Sequence, residues 1–210
     1  MKRLFETVQG ARVLVFGAHP DDVELGAGGL VARLARQGSR VVIAVVSVPN
    51  ETERRMAEAA EGARLLGAEL KLLSGAEPCR VEDLPMHRLV AKLDAVVNEV
   101  QPHLVITHSA HDLHWDHRLV QHATVSSLRR TPCDLIAFMS SPEMNAQVRS
   151  FGECFADVSE TIETKLAAIA AHGSQGAKLD VESARDLARA MGRISGVAYA
   201  EAYEVLRIRI

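Results

Sequence analysis

Short apolar runs separated by stretches of helical periodicity set the plan of this chain. Val13-Leu14-Val15-Phe16 reads as a strand buried on both faces. After Pro20 the period changes. Leu25, Leu30, Val31 and Leu34 recur at helical spacing, so a helix is expected from Asp21 or Asp22 to a stop at Gly38. Pro20 suits a first helical turn, and the acidic pair complements the helix dipole. Gly28-Gly29 costs helix stability and so marks close packing against the sheet. Val41–Val46 is a second buried strand, followed by a helix over 52–66 that Gly67 stops, and by a short strand at Leu70–Leu73. Gly75–Pro85 reads as a loop, 86–100 as a helix, and His103–Thr107 as a strand. A helix over 117–130, a strand at Asp134–Met139 and a connection over 141–153 come next. Phe155–Val158 then reads as a short strand, Thr161–Ala171 and Ser183–Ile194 as helices, and Gly173–Lys178 as a polar break between those helices. The end, Ala202–Ile210, alternates apolar and charged residues as a one-sided edge strand does. Strands alternating with helices predict an α/β fold: a mostly parallel, doubly wound sheet between two helical layers, with right-handed crossovers.

Length and composition agree with that plan. The 210 residues show no linker or repeat, which predicts a single domain spanning 1–210. No apolar run approaches the length of a membrane span, and Glu6 and Gln9 interrupt any signal-peptide core near the start. A net charge of -3 gives no reason to expect a nucleic-acid partner. Cys79, Cys133 and Cys154 are scattered and odd in number, which suits a reducing cytoplasm better than a disulfide framework. The expected assembly is a homo-oligomer.

The chemistry sits where apolar runs end. His19-Pro20-Asp21-Asp22 follows the first strand, and His108-Ser-Ala-His-Asp112-Leu-His114-Trp115-Asp116-His117 follows the fourth. In an open α/β sheet, ligands bind outside the carboxyl ends of the strands. Catalytic zinc takes three protein ligands and keeps one position for water. His19 and Asp22 are close enough across the turn to grip one ion, and His117 is the best third ligand. Such an ion lowers the pKa of its water from about 15.7 towards about 7. Asp21 is placed to take the water's proton. A histidinium at His114, oriented by Asp116, could stabilise an oxyanion and protonate the leaving nitrogen. Taken alone, an acidic pair at a helix start is often only a cap. His87, His103 and His122 read as structural or exposed, and Arg54, Arg55 and Glu58 as a solvated helix face. Trp115 either lines the substrate site or packs into the core.

At this point the chain resembles a known family. Ala18-His19-Pro20-Asp21-Asp22-Val23-Glu24 is similar to the AHPDDxE signature of the LmbE-like, or PIG-L, zinc-dependent N-deacetylases. His108, Asp112, His114, Asp116 and His117 match a second signature. Arg55-x-x-Glu58, Lys165, His172-Gly-Ser174-Gln175 and Tyr199-Ala-Glu201-Ala resemble further family stretches. The resemblance implies a Rossmann-like fold and removal of an N-acyl group, an N-acetyl by expectation, from an amino-sugar conjugate. It implies one zinc ion on His19, Asp22 and His117, with Asp21 as general base and His114 as electrostatic catalyst. It also makes Arg55 a substrate contact. Trp115 stands where the family often has proline, and Ser47–Thr52 lacks the family's glycine-rich, acidic loop.

Two other classes stay open on the sequence. Two histidines and a carboxylate also form the facial triad of non-haem iron oxygenases, which would leave Asp21 and His114 without roles. A nucleotide-binding module would explain the glycines of 17–29. That stretch lacks GxGxxG, however, and Asp21-Asp22 would repel a pyrophosphate.

Overall fold

A computed structural model describes residues 10–75, 78–138 and 152–209. The expected signal-peptide interruption and most of the 141–153 connection lie outside the described residues. In chain order the elements are β1 (Arg12–Gly17), α1 (Asp22–Arg36), β2 (Arg40–Val45), α2 (Thr52–Leu66), β3 (Glu69–Leu72), α3 (Met86–Val100), β4 (Leu104–His108), α4 (Trp115–Ser127), β5 (Asp134–Phe138), β6 (Cys154–Asp157), α5 (Ile162–Ala170), α6 (Val181–Ser195) and β7 (Ala200–Arg207). A single 3-10 turn occupies Val81–Asp83, and two such turns meet at a kink at Gly176 within Gly173–Lys178.

The strands form one seven-stranded sheet in the order β3-β2-β1-β4-β5-β7-β6. β1 pairs in parallel with β2 and β4, β2 with β3, and β4 with β5. Alternation along β1 divides the core. Val13 and Val15 pack with α1 and α2 on one face, while Leu14 and Phe16 pack with α3 and α4 on the other. Strands buried on both faces explain the continuous apolar runs, and the result is the expected three-layer α/β sandwich. The strand order reverses between β1 and β4. The crevice beyond their carboxyl ends is where such a sheet binds ligands.

The expected close packing at Gly28-Gly29 is met only in part, because a Cβ on Gly28 would meet Lys165 of α5 at 3.2 Å and not the sheet. A Cβ on Gly26 would lie 1.9 Å from the Phe138 ring, and one on Gly29 would lie 2.7 Å from Val158. Either would push the helix off the sheet.

One expectation fails. The C-terminal strand is not at an edge: β7 lies between β5 and β6 and runs antiparallel to both. Its charged residues do not mark a solvated face, because each has an internal partner. Glu201 takes hydrogen bonds from the Gly29 and Leu30 amides, Lys165 Nζ and the Tyr203 hydroxyl, and Glu204 takes one from Ser109. Arg207 donates to the carbonyls of Thr131 and Cys133.

Candidate metal centre

Both polar loops arrive at the crevice, as the topology requires. At the end of β1 the chain turns through Ala18–Asp21 into α1. Asp21 is the N-cap but adopts φ 100°, ψ −28°, a left-handed backbone that a side chain pays for, and its carboxylate caps nothing. Asp22 instead accepts the His19 amide at 2.7 Å through Oδ2. The acidic pair is therefore more than a helix cap. From the other side, β4 runs one residue further than expected, so His108 is its last strand residue. α4 starts two residues earlier than expected, because the His114 ring accepts the Asp116 amide at 3.2 Å and acts as N-cap.

Asp22 is the hub. Its Oδ1 lies 3.2 Å from His117 Nε2, and its Oδ2 lies 3.7 Å from His19 Nδ1 and 3.3 Å from His108 Nε2. His117 Nδ1 pairs with Asp112 Oδ2 at 2.9 Å, which leaves Nε2 to face Asp22. A carboxylate behind a histidine is how metal proteins fix the tautomer and strengthen the ligand. His19 Nε2 meets Asp116 Oδ2 at 3.0 Å, so its Nδ1 is the nitrogen turned to Asp22. His108, His117 and His114 form a stack with centroid spacings of 4.1 and 4.4 Å and His117 in the middle.

Two donor groups share this space. One is His19, His114 and His117; the other is Asp22, His108 and His117; in each, the donor atoms lie within 4.8 Å of one another. The three predicted ligands are spread over both groups, and Asp22 joins them. Donors around tetrahedral zinc stand about 3.4 Å apart. The separations from Asp22 are of that order, 3.2 Å from Oδ1 to His117 Nε2 and 3.7 Å from Oδ2 to His19 Nδ1, but they use different carboxylate oxygens. His108 fits less well, because its Nε2 already accepts the Ala18 amide at 2.9 Å, which engages the lone pair a metal would need. The imidazoles and carboxylate gathered here, with Asp116 behind His19 and Asp112 behind His117, are donors of the kind that suits a divalent ion.

The electrostatics agree. Burial alone would lower His117, yet Asp22 and Asp112 push it up to about 10. Burial would raise Asp22, but His117 and His108 hold it well below the usual carboxylate range. The site thus favours positive charge beside an ionised carboxylate. Asp21 goes the opposite way. Burial and then the charge of Asp22 push it up to about 7, against the pull of Arg55 and His172.

Several sequence expectations change here. Asp116 does not orient His114 with its carboxylate, which is spent on His19; it holds His114 through its backbone N–H. Because His114 Nδ1 accepts that bond, the ring proton sits on Nε2. Burial and the imidazoles of His117 and His19 also lower the pKa of His114, which favours a neutral imidazole over the expected histidinium. Arg55 is not on a solvated face. It is 6% exposed and donates to Asn50 Oδ1 at 3.0 Å and to the Pro20 carbonyl at 3.2 Å, with Asp21 Oδ2 at 3.5 Å. Its neighbour Arg54 does face solvent, where it pairs with Glu51 and Glu58. Trp115 is 53% exposed with the Arg118 guanidinium 4.8 Å above its ring, so it is not a core residue. His108, Asp112, Glu24 and His172 gather around the site without having been assigned roles. The signal for them was the resemblance, since Glu24, His108, Asp112 and His172 all fall in stretches similar to family signatures.

Residues 14–128 match the family model described as GlcNAc-PI de-N-acetylase, or PIG-L, a span that includes both donor loops. The chain belongs to the PIG-L family. It is 27% identical to the uncharacterized deacetylase YaiS of Escherichia coli, over 77% of this chain and 90% of that protein. Its fold is similar to that of GalB, the 4-carboxy-2-hydroxymuconate hydratase of Pseudomonas putida, with TM-score 0.77, 23% identity and coverage of 94% and 97% of the two chains. It is also similar to the fold of an N,N'-diacetylchitobiose deacetylase from Pyrococcus horikoshii, with TM-score 0.74, 21% identity and coverage of 93% and 84%. Among the described residues, no helix is long and apolar enough to cross a membrane.

Proposed function

We propose that this chain is a zinc-dependent N-deacylase that removes an N-acetyl group from a glucosamine-containing conjugate. The observation that carries the proposal is the juxtaposition of a carboxylate and two imidazoles that suit a metal with a second, separately tuned carboxylate, Asp21, one residue away. Family membership and the deacetylases among the relatives support the substrate class. His19, Asp22 and His117 hold the ion, which when bound supplies Lewis acidity towards water and a carbonyl oxygen.

The protein's own groups do the rest. Asp21 takes the proton of the attacking water; a carboxylate tuned towards neutrality is a better base than one left at its usual value. His114 offers its Nε2 proton to the oxygen that gains charge when the amide carbon becomes tetrahedral. Its neutral form suffices, since a hydrogen-bond donor is all that step requires. The proton held by Asp21 then goes to the departing nitrogen. Asp116 steadies His19 and His114, Arg55 holds the turn carrying Asp21 and reaches the substrate, and Trp115 offers an aromatic face to a sugar at the mouth. The protein works as a cytoplasmic homo-oligomer.

The test is hydrolysis of an N-acetylglucosamine conjugate in isotopically labelled water. Label in the released acetate, together with a free amine, is the expected result. Turnover that requires dioxygen would overturn the reading, as would addition of water to an unsaturated acid without amine release.

A further inference from the structure

His172 lies beyond the residues matched to the family, in the turn between α5 and the Gly173–Lys178 segment. It is 2% exposed, and neither ring nitrogen has a hydrogen-bond partner among the described residues. Its Nε2 stands 3.4 Å from Glu24 Oε1. Glu24 is itself buried, in the first turn of α1, two residues after Asp22. The facing helix makes room for the two side chains. A Cβ on Gly62 of α2 would come within 2.5 Å of Glu24 Oε1 and 3.1 Å of His172 Nε2. Glu58, one turn earlier in α2, accepts the Ser174 amide at 2.8 Å and the Ser174 hydroxyl, which fastens the turn carrying His172. One turn earlier again, Arg55 grips Pro20 and Asp21. One face of α2 therefore docks three polar features of the site: the base, Glu24 with His172, and the turn that supplies His172.

Charge explains why this arrangement is needed. Asp21, Asp22 and Glu24 crowd into four residues and all three are buried. Asp22 has its imidazoles and Asp21 has Arg55. Facing Glu24 is the basic ring of His172, with Nε2 3.4 Å from Oε1, and the two form an ion pair when the ring is protonated. Burial would lower the pKa of His172, but Glu24, Asp21 and Glu58 together raise it. Arg54 stands across the same turn, with Nη2 3.9 Å from where a Cβ on Gly173 would lie.

We propose that His172 is a positioning residue: paired with Glu24 in the notch left by Gly62, it locks the acidic turn Asp21–Glu24 against α2 and so holds Asp21 in its left-handed conformation towards the reacting atoms. The role of Asp21 rests on the deacylase reading; the pair itself does not.

The experiment is a double-mutant cycle in the full chain: His172→Gln, Glu24→Gln and both together. Thermal midpoint, zinc bound per chain, kcat and KM are measured for each. Each single change leaves a buried charge without its partner, so the expected result is a lowered midpoint and a kcat reduced by about tenfold or more. KM should stay within about twofold, with zinc content unchanged. The double variant removes both charges and should regain at least about threefold in kcat over His172→Gln, along with part of the midpoint. Wild-type kcat in His172→Gln overturns the proposal. So do single losses that simply multiply in the double variant, because a residue that only fills space has no reason to be rescued by Glu24→Gln. If the wild-type chain releases no amine, the deacylase reading fails and the midpoints alone decide whether the pair exists.

Discussion

Two buried polar clusters adjoin α1, one at its N-terminal end and one along its middle, and they are built on opposite principles. At Lys165 and Glu201 both charged groups are bonded several times over. The ion pair is 2.6 Å long and both side chains are nearly fully buried. Glu201 also receives two amides of α1 and the Tyr203 hydroxyl, while Lys165 reaches the Leu25 carbonyl at 2.7 Å. At the ends of β1 and β4 satisfaction is incomplete. Asp21 holds a costly backbone, and His108 Nδ1, Arg55 Nε, Ser47 Oγ and both nitrogens of His172 are buried without a hydrogen bond among the described residues. Saturated networks rigidify a fold, whereas strained and under-satisfied ones persist where function demands them. The difference separates a structural clamp from a reactive site more clearly than charge or burial does.

The largest expected effect comes from relieving the strained cluster. Asp21→Asn should keep its zinc but lose about 10²–10⁴ in kcat, since only proton removal is impaired. The same change should stabilise the metal-free protein in a pH-dependent way. A carboxyl raised to about 7 contributes stability below the unfolded value, and loses it as pH rises through 7. The gain in melting temperature of Asp21→Asn over wild type should therefore grow between about pH 4 and about pH 8. Asn also tolerates the left-handed backbone better than most residues.

Breaking the saturated cluster should give the converse. Lys165→Met strands the Glu201 carboxylate and should cost about 3–5 kcal/mol in chemical denaturation, with kcat per folded chain unchanged. A smaller effect is expected at the support of the metal site. Asp112→Asn frees the His117 ring and should weaken zinc binding by about 10–100-fold in a competition titration, with the fold intact. The smallest stability change belongs to Trp115→Ala. At an exposed site it should move stability by no more than about 0.5 kcal/mol while raising KM, and an unchanged KM would remove Trp115 from the substrate surface.

Much of the fold is legible in the sequence. The apolar runs, helix periods and glycine stops located the strands and helices, because burial on both faces leaves a strand no polar positions to confuse its reading. That His19, Asp22 and His117 would meet was legible because metal chemistry needs those residue types after strands. What escaped were long-range partnerships. The charges of β7 imitated a solvated edge because Lys165 and the α1 amides, distant in sequence, neutralise Glu201. Asp116 is two residues from His114 in sequence but spends its carboxylate on His19, across the crevice. Arg55 shares a helix turn with Arg54 and differs only in facing inward, towards Pro20 and Asp21. His172 reaches the site through Gly62, and no spacing rule connects a helix glycine with a histidine 110 positions later.

The central chemical question is whether this centre cleaves an amide with a metal. The direct measurement is free-amine release from an N-acetylglucosamine conjugate by the purified chain, first stripped with a chelator and then reloaded with zinc. Release that disappears on stripping, returns with zinc and fails to return in His117→Ala is the predicted result. A zinc-replete, folded protein that frees no amine, or one whose release is indifferent to the chelator, would contradict it.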